Sequence, residues 1–129
     1  MEQSNFQFKN PRIEKIDFRV NDDESLTSEM PLSIDVESKV DKDHREAVTR
    51  LILTVGEVDD NNKVTTAFYF SGIMTSDFKW EEDIKNPEKM LRVSGGAVLL
   101  SYIRPVLSNI TMQAGMKPLN LPFIDFTKE

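Results

Sequence analysis

Apolar and polar residues alternate with a period of two over most of the first 75 residues. The clearest stretch follows Pro31, where one face is polar or charged and the other carries Leu32, Ile34, Val36 and Val40. This alternation predicts a half-buried strand with one wet face, as in an antiparallel sheet. An earlier strand is expected around residues 16–20, where Arg12 and Glu14 break the phase and indicate a bulge or a late start.

Two further strands are predicted between residues 47 and 74. The segments 47–58 and 64–74 both alternate between apolar and polar positions, and the run 59–62 between them suits a hairpin turn. Helix is the alternative for 44–55, which has few helix breakers, but its β-branched residues favour a strand. The first half of the chain is therefore predicted to form a four-stranded antiparallel meander.

Two segments are predicted to be long loops. Residues 21–31 are polar and acidic and too long for a tight turn, so a long loop joins strands one and two. Residues 75–86 carry Phe78 and Trp80 among charged residues and are predicted to lead into the second half of the chain. Apolar side chains in such loops are candidates for binding, although they more often close a core.

The second half of the chain changes to helical spacing. Asn86, Pro87 and Glu88 are typical of a helix cap, a first-turn proline and an early acid, and apolar residues then recur at helical intervals. Pro105 removes one backbone hydrogen bond and is expected to kink the helix. The prediction is a single α+β domain over residues 1–129, in which one long, kinked helix covers the four-stranded sheet.

Composition narrows the possible functions. The net charge of −6 disfavours binding to a nucleic-acid backbone, and the absence of cysteine removes disulfides, thiolate metal sites and thiol nucleophiles. The sequence does not open with a basic region followed by an apolar run, and no stretch approaches 18 apolar residues. We therefore expect a cytoplasmic protein that is not inserted in a membrane.

The residues offer little for catalysis or metal binding. His44 is the only histidine, and a zinc site needs about three or four ligands, which no cysteine or second histidine supplies. The acidic clusters at 22–24, 59–60 and 81–83 fall in predicted loops, where solvated carboxylates are the default. We expect no cofactor, no metal and no enzymatic activity. The least favoured alternative is a small enzyme with His44 or a perturbed carboxylate in a deep polar pocket.

The closing residues carry a family resemblance. Tyr102-Ile103-Arg104 in the helix is followed by residues 114–126, AGMKPLNLPFIDF. Together with Thr66-Ala67-Phe68 and the order of the elements, these residues resemble the SecB protein-export chaperone family. The similarity in topology spans nearly the whole chain, and its specific motifs lie in residues 102–129.

This resemblance implies a SecB-like fold and an ATP-independent holdase for unfolded polypeptides or preproteins in protein export. It also implies a homo-oligomer built as a dimer of dimers, with a client groove between the first long loop, the second strand and the helix. An apolar groove gains about 25 cal/mol per Å² of apolar area buried, without reading sequence. Carried over by position, the groove residues are Leu26, Met30, Leu32, Ile34, Val36, Tyr102, Val106 and Ile110.

One helix over a four-stranded sheet leaves an apolar side of the helix uncovered, which favours oligomerisation. The residues predicted to meet another subunit are Gly95, Gly96 and Val98. The family also docks the SecA motor through acidic residues on the outer sheet face, where this chain has Lys15, Arg19 and Ser71. The alternative function is that of a SecB-like module dedicated to one protein partner such as an antitoxin, with which a short groove is compatible.

Overall fold

A computed structural model describes residues 6–21, 30–81, 84–121 and 124–127. It contains five antiparallel strands and one long helix. The strands are β1 (Phe6–Phe8), β2 (Arg12–Val20), β3 (Leu32–Asp41), β4 (Glu46–Val55) and β5 (Phe68–Trp80). The helix consists of α1 (Pro87–Met90), a π turn (Leu91–Gly95) and α2 (Gly96–Gln113). The predicted α+β architecture, an antiparallel sheet with one helix after it, is confirmed.

The pairing of the strands differs from a simple meander in one respect. β3, β4 and β5 pair in sequence order, but β2 pairs with β5 rather than with β3, which gives a Greek key with the order β2–β5–β4–β3. β1 pairs with the last residues of β5, on the same edge as β2. Alternation within a strand specifies which face is buried but not which neighbour the strand selects, so the sequence pattern alone does not distinguish the two orders.

β5 is longer than the predicted fourth strand. It begins at Phe68 and continues to Trp80, so Phe78 and Trp80 are core residues with exposed fractions of 0% and 5%. The prediction of a loop at this point was wrong. Phe78 and Trp80 alternate with Asp77 and Lys79, which is the period-two pattern of a strand.

The sheet has a helix-bearing face and an outer face. Leu51 of β4 and Met74 of β5 lie side by side on the helix-bearing face, and Ile103 of α2 belongs to the same buried core. The outer face is rich in charged residues, and Arg50 of β4 forms an ion pair there with Glu14 of β2. The core therefore lies between the sheet and the helix.

The helix begins as the sequence predicts. The Asn86 side chain accepts a hydrogen bond from the Lys89 N–H at 3.2 Å, and Pro87 is the first helical residue. Pro105 lies inside α2, which continues to Gln113, and the irregular part of the helix is the π turn that precedes α2. By length and composition alone, Pro87–Gln113 could cross a membrane, a property that core helices of globular proteins share.

Candidate functional site

Exposed apolar side chains line one edge of the helix-bearing face. The register of β2 against β5 sets Ile16 beside Gly72 and Val20 beside Phe68. Phe68 is buried on the helix-bearing face, so Val20 and Ile16 project from that face as well. The exposed fractions along this edge are 41% for Phe8, 50% for Ile13, 37% for Ile16 and 45% for Val20.

A β-bulge places Ile13 in the same row. The register of β2 shifts just after Ile13, which lies opposite Met74. Without the extra residue, Ile13 and Ile16 would project from opposite faces, because side chains alternate along a strand. Glu14 turns to the outer face and binds Arg50. The bulge predicted near Glu14 is confirmed.

α2 provides a wall beside this row. The Tyr102 ring packs edge-on against Phe8, with 6.4 Å between the ring centroids, and Tyr102 is 40% exposed. Residues four apart lie on one flank of a helix, so the half-buried Val106 and Ile110 share the flank of Tyr102. We call this surface the apolar trough, and its residues are Phe8, Ile13, Ile16, Val20, Tyr102, Val106 and Ile110.

The free edge of β2 borders the trough. The Asn21 N–H donates to the Ala67 carbonyl at 3.0 Å, and hydrogen-bonded residue pairs alternate with non-bonded pairs along an antiparallel ladder. The backbone groups of Ile16, Phe18 and Val20 therefore point away from β5. Within the described ranges, no strand pairs with that edge of β2. Considering the described residues alone, apolar side chains and unpaired backbone groups thus adjoin along this edge.

The opposite flank of α2 is filled by the chain itself. Arg104, about 200° of helix rotation from Tyr102, donates a hydrogen bond to the Leu121 carbonyl at 2.7 Å. The Leu119 N–H donates to Thr111 Oγ1 at 3.0 Å, and Leu121 is 4% exposed. We call residues 119–121 and 124–126 the return segment. One flank of the helix is open and the other is occupied.

The predicted groove residues lie at two edges of the sheet. Those on the strand side are Met30, Leu32, Ile34 and Val36, and they belong to β3 or precede it, at the edge opposite β2. Ile34 and Val36 are half-buried against the core, whereas Leu32 is 41% exposed. Those on the helix side are Tyr102, Val106 and Ile110, which belong to the trough. Leu26 lies outside the described residues. Among the described residues, the two sets lie toward opposite edges of the sheet, and their role in client binding stays a prediction.

The predicted interface glycines have a role inside the chain. A Cβ at Gly96 would lie 3.1 Å from the Phe126 ring, and one at Gly95 would lie 3.5 Å from the Phe78 ring. Both glycines are buried in the protomer and offer almost no surface to another subunit. The glycine at 96 lets the Phe126 ring pack directly on the helix. Val98 is half-buried, and its place in a subunit interface stays a prediction.

His44 lies on the turn after β3 with 73% of its side chain exposed. Its Nδ1 is 2.7 Å from Asp41 Oδ2, and this hydrogen bond raises the pKa of His44 and lowers the pKa of Asp41. The exposed position counts against an enzyme that uses His44 in a deep pocket. Across the part of the chain that the structure describes, no three His, Asp or Glu side chains are grouped as a metal site.

The strand side of the trough is not apparent from the sequence. The pattern predicts a strand at residues 16–20, but whether its apolar face stays open depends on where the helix crosses the sheet. β1, which supplies Phe8, has three residues, too few for a period-two pattern to register. The signal that was available is the apolar pair Phe6 and Phe8, separated by one polar residue.

The Greek-key sheet and its single long covering helix define a SecB-like fold. Rv1957, a SecB-like chaperone of Mycobacterium tuberculosis solved in complex with a ChAD peptide from the Rv1956 HigA1 antitoxin, matches 93% of this chain and 91% of its own, with a TM-score of 0.73 and 15% identity. A protein of unknown function from Streptococcus agalactiae matches 92% of this chain and 97% of its own, with a TM-score of 0.54 and 14% identity. No family model and no curated protein sequence matches the chain. The likeness to SecB is therefore confirmed at the level of the fold.

Proposed function

We propose that this protein is a SecB-like chaperone that holds extended, apolar segments of non-native polypeptides without ATP. The observation that carries the proposal is the apolar trough beside the free edge of β2. A non-native chain offers apolar side chains together with unpaired backbone groups. The trough accepts the side chains, and the strand edge accepts the backbone by strand addition.

The trough suits many sequences rather than one. Its described residues are apolar or aromatic and provide contact area instead of directional side-chain pairing. Burial contributes about 25 cal/mol per Å² of apolar area, so a client gains affinity with the length of the apolar segment it lays down. Strand addition through the backbone of Ile16, Phe18 and Val20 is also independent of sequence.

For the finer role we propose the holding of preproteins for export in the cytoplasm, which the resemblance implies. Docking to SecA is the weakest part of this role, because Arg19 and Lys15 lie on the outer face where the family presents acids. The second candidate is protection of a single protein partner. It is favoured by the antitoxin peptide in the complex of Rv1957.

A homo-oligomer, arranged as a dimer of dimers, is part of the proposal. In a chain with 29% charged residues, the outward surface of α2 has no charged side chain. An exposed helix face is normally polar and charged, and loss of charge is typical of the centre of an interface. The exposed residues of this surface, between the trough and the return segment, are Ala97, Ser101, Pro105, Asn109, Met112 and Gln113.

The oligomer is tested by placing a charge on this surface. Met112 is 51% exposed, so Met112→Lys costs little in the protomer but puts an ammonium group in the proposed interface. We expect light scattering after size exclusion to show smaller species than the parent protein. Val48→Lys, at a 41% exposed position on the outer face, is the control and should leave the mass unchanged. Equal masses for all three proteins would contradict this interface.

Client holding is tested with two matched valine variants. Val20 in the trough is 45% exposed and Val48 on the outer face is 41% exposed, and both lie in strands. Chemically denatured citrate synthase is diluted into buffer with each protein, and aggregation is followed by light scattering. We expect the parent protein and Val48→Asp to suppress aggregation, and Val20→Asp to lose most of that suppression.

Three other outcomes are informative. Loss in both variants would place the activity outside the trough. Suppression by all three proteins would remove the trough from client binding. No suppression of several unrelated clients by the folded parent protein would exclude a general holdase and would leave the single-partner function.

A further inference from the structure

Two hydrogen bonds hold the backbone of the return segment on α2. They do not depend on which side chains the segment carries at those positions. Arg104 donates to the Leu121 carbonyl at 2.7 Å, and Thr111 accepts the Leu119 N–H at 3.0 Å. Both bonds engage backbone atoms of residues 119–121, which belong to no helix or strand. A guanidinium that binds a carbonyl, and a hydroxyl that binds an amide, are available to any polypeptide that follows the same path.

Apolar side chains anchor the same stretch. Leu121 is buried to 4% exposure, and the Phe126 ring packs on the bare backbone of Gly96. Leu119 and Ile124 are partly buried against the core. The flank of α2 beneath the segment thus combines backbone donors and acceptors with apolar contact sites. That is the chemistry by which an extended peptide is recognised without strict sequence reading.

We propose that this flank of α2 is a second polypeptide-binding site, which the chain's own return segment fills until an extended apolar client segment displaces it. The occupant fits the class of ligand, since it is apolar at Leu119, Leu121, Ile124 and Phe126 and is bound through its backbone. The inference rests on the proposed function, since it gives that function a second site on the same helix. The residues that bind the occupant's backbone are Arg104 and Thr111.

Exchange at this site is tested by locking the return segment in place. Ser108 Oγ on α2 lies 3.5 Å from Asn120 Oδ1 in the segment, and the chain has no cysteine of its own. The double variant Ser108→Cys/Asn120→Cys therefore forms one engineered disulfide on oxidation and releases it on reduction. The single variant Ser108→Cys, treated with the same oxidant, controls for the chemistry.

The probe is a fluorescent synthetic peptide with the sequence of residues 117–127, KPLNLPFIDFT. Its binding is followed by fluorescence anisotropy. We expect the reduced double variant to bind this peptide, and the oxidised form to bind it at least ten-fold more weakly, because only the trough, to which this sequence is not matched, then stays accessible. Phe126→Ser loosens the internal occupant while leaving Arg104, Thr111 and Gly96 in place, so it should bind the peptide several-fold more tightly than the parent protein.

Each other outcome contradicts the second site. Equal affinity in the oxidised and reduced forms would place the peptide elsewhere, and absence of binding in both would show that the flank accepts only its tethered segment. The suppression of citrate synthase aggregation, measured on the same samples, separates the two proposals. If suppression persists in both forms while the peptide result is negative, only the second site fails. If suppression is also absent, the proposed function fails with it.

Discussion

The two flanks of α2 carry similar chemical groups, but one flank is exposed and the other is covered. On the flank of Tyr102, apolar side chains and the free edge of β2 are exposed, whereas on the flank of Arg104 the return segment of the same chain covers the helix. The occupied flank contributes to stability because its contacts are already made. The open flank has contacts still to make, so a client can bind there without displacing any part of the chain.

The largest expected effect is a difference in the free energy of unfolding that is lost when a side chain is removed from each flank. Leu121→Ala removes a buried side chain from the occupied flank and should lower the free energy of unfolding by about 2–5 kcal/mol. Ile13→Ala in the open trough, at a position that is 50% exposed, should cost less than about 1 kcal/mol. Urea unfolding of both variants measures the difference. Equal costs would show that the trough is not open in solution.

Arg104→Ala is expected to have the next largest effect. It removes the charged donor to the Leu121 carbonyl and should cost about 1.5–3 kcal/mol, the range for a hydrogen bond that involves a charged group. Urea unfolding reports the change. Arg104→Lys keeps the charge but loses the planar geometry, and should recover only part of the stability. Full recovery by Lys would assign the effect to charge alone.

Two adjacent glycines give a smaller and more selective test. Alanine is favoured over glycine in a helix by about 1 kcal/mol. A Cβ at Gly95 meets ordinary contacts at 3.5 Å, so Gly95→Ala should be neutral or stabilising by up to about that amount. A Cβ at Gly96 lies 3.1 Å from the Phe126 ring, so Gly96→Ala should be less stable than Gly95→Ala by about 1 kcal/mol.

The cause of the Gly96 penalty is checked in a second background. In a Phe126→Ala protein the ring is absent, and Gly96→Ala should then gain as much stability as Gly95→Ala. Thermal unfolding is compared for Gly95→Ala and Gly96→Ala, each in the parent protein and in the Phe126→Ala background. A penalty that persists without the ring would contradict the packing of Phe126 on Gly96.

The smallest effect lies on the turn after β3, outside both flanks. The bond to Asp41 raises the pKa of His44, so its stabilisation is complete below the ordinary histidine pKa and is lost as pH rises through the raised value. The lowered pKa of Asp41 gives stabilisation that is present above the ordinary aspartate pKa and is lost as pH falls through the lowered value. The pair therefore contributes most between the two ordinary values.

An NMR titration of the His44 ring measures this pair. Asp41→Asn should lower the His44 pKa toward its ordinary value, with only a slight change in stability because both side chains are exposed to solvent. Client holding should be the same in Asp41→Asn and in the parent protein. A loss of holding would connect this turn to the trough, which the structure keeps apart.

Sequence patterns predicted the helix and strands well where residues nearby in sequence determine the secondary structure. Asn86 and Pro87 start the helix, and the alternation from Leu32 to Val40 gives β3. The break of phase at Glu14 became a bulge. Phe78 and Trp80 were assigned to a loop because charged residues separate them, although the separation by single charges is itself the pattern of a strand.

Long-range placement was not predictable in the same way. The pairing of β2 with β5 joins residues 48 to 63 positions apart in sequence, such as Ile16 and Gly72, and depends on the path of the chain between them. That pairing, with the crossing of α2, decides that Ile16 and Val20 are exposed and that Ile34 and Val36 are half-buried. The helix side of the trough, from Tyr102 to Ile110, came from the family resemblance.

Methyl NMR tests the central claim most directly. Isoleucine and valine methyl groups are labelled, and a synthetic extended peptide rich in apolar residues is titrated into the protein. We expect chemical-shift changes at the trough positions Ile13, Ile16 and Val20, with the outer-face positions Val48, Ile52 and Ile73 unchanged. Changes confined to the outer-face methyl groups, or none at any of the six under saturating peptide, would contradict the assignment of polypeptide binding to the apolar trough.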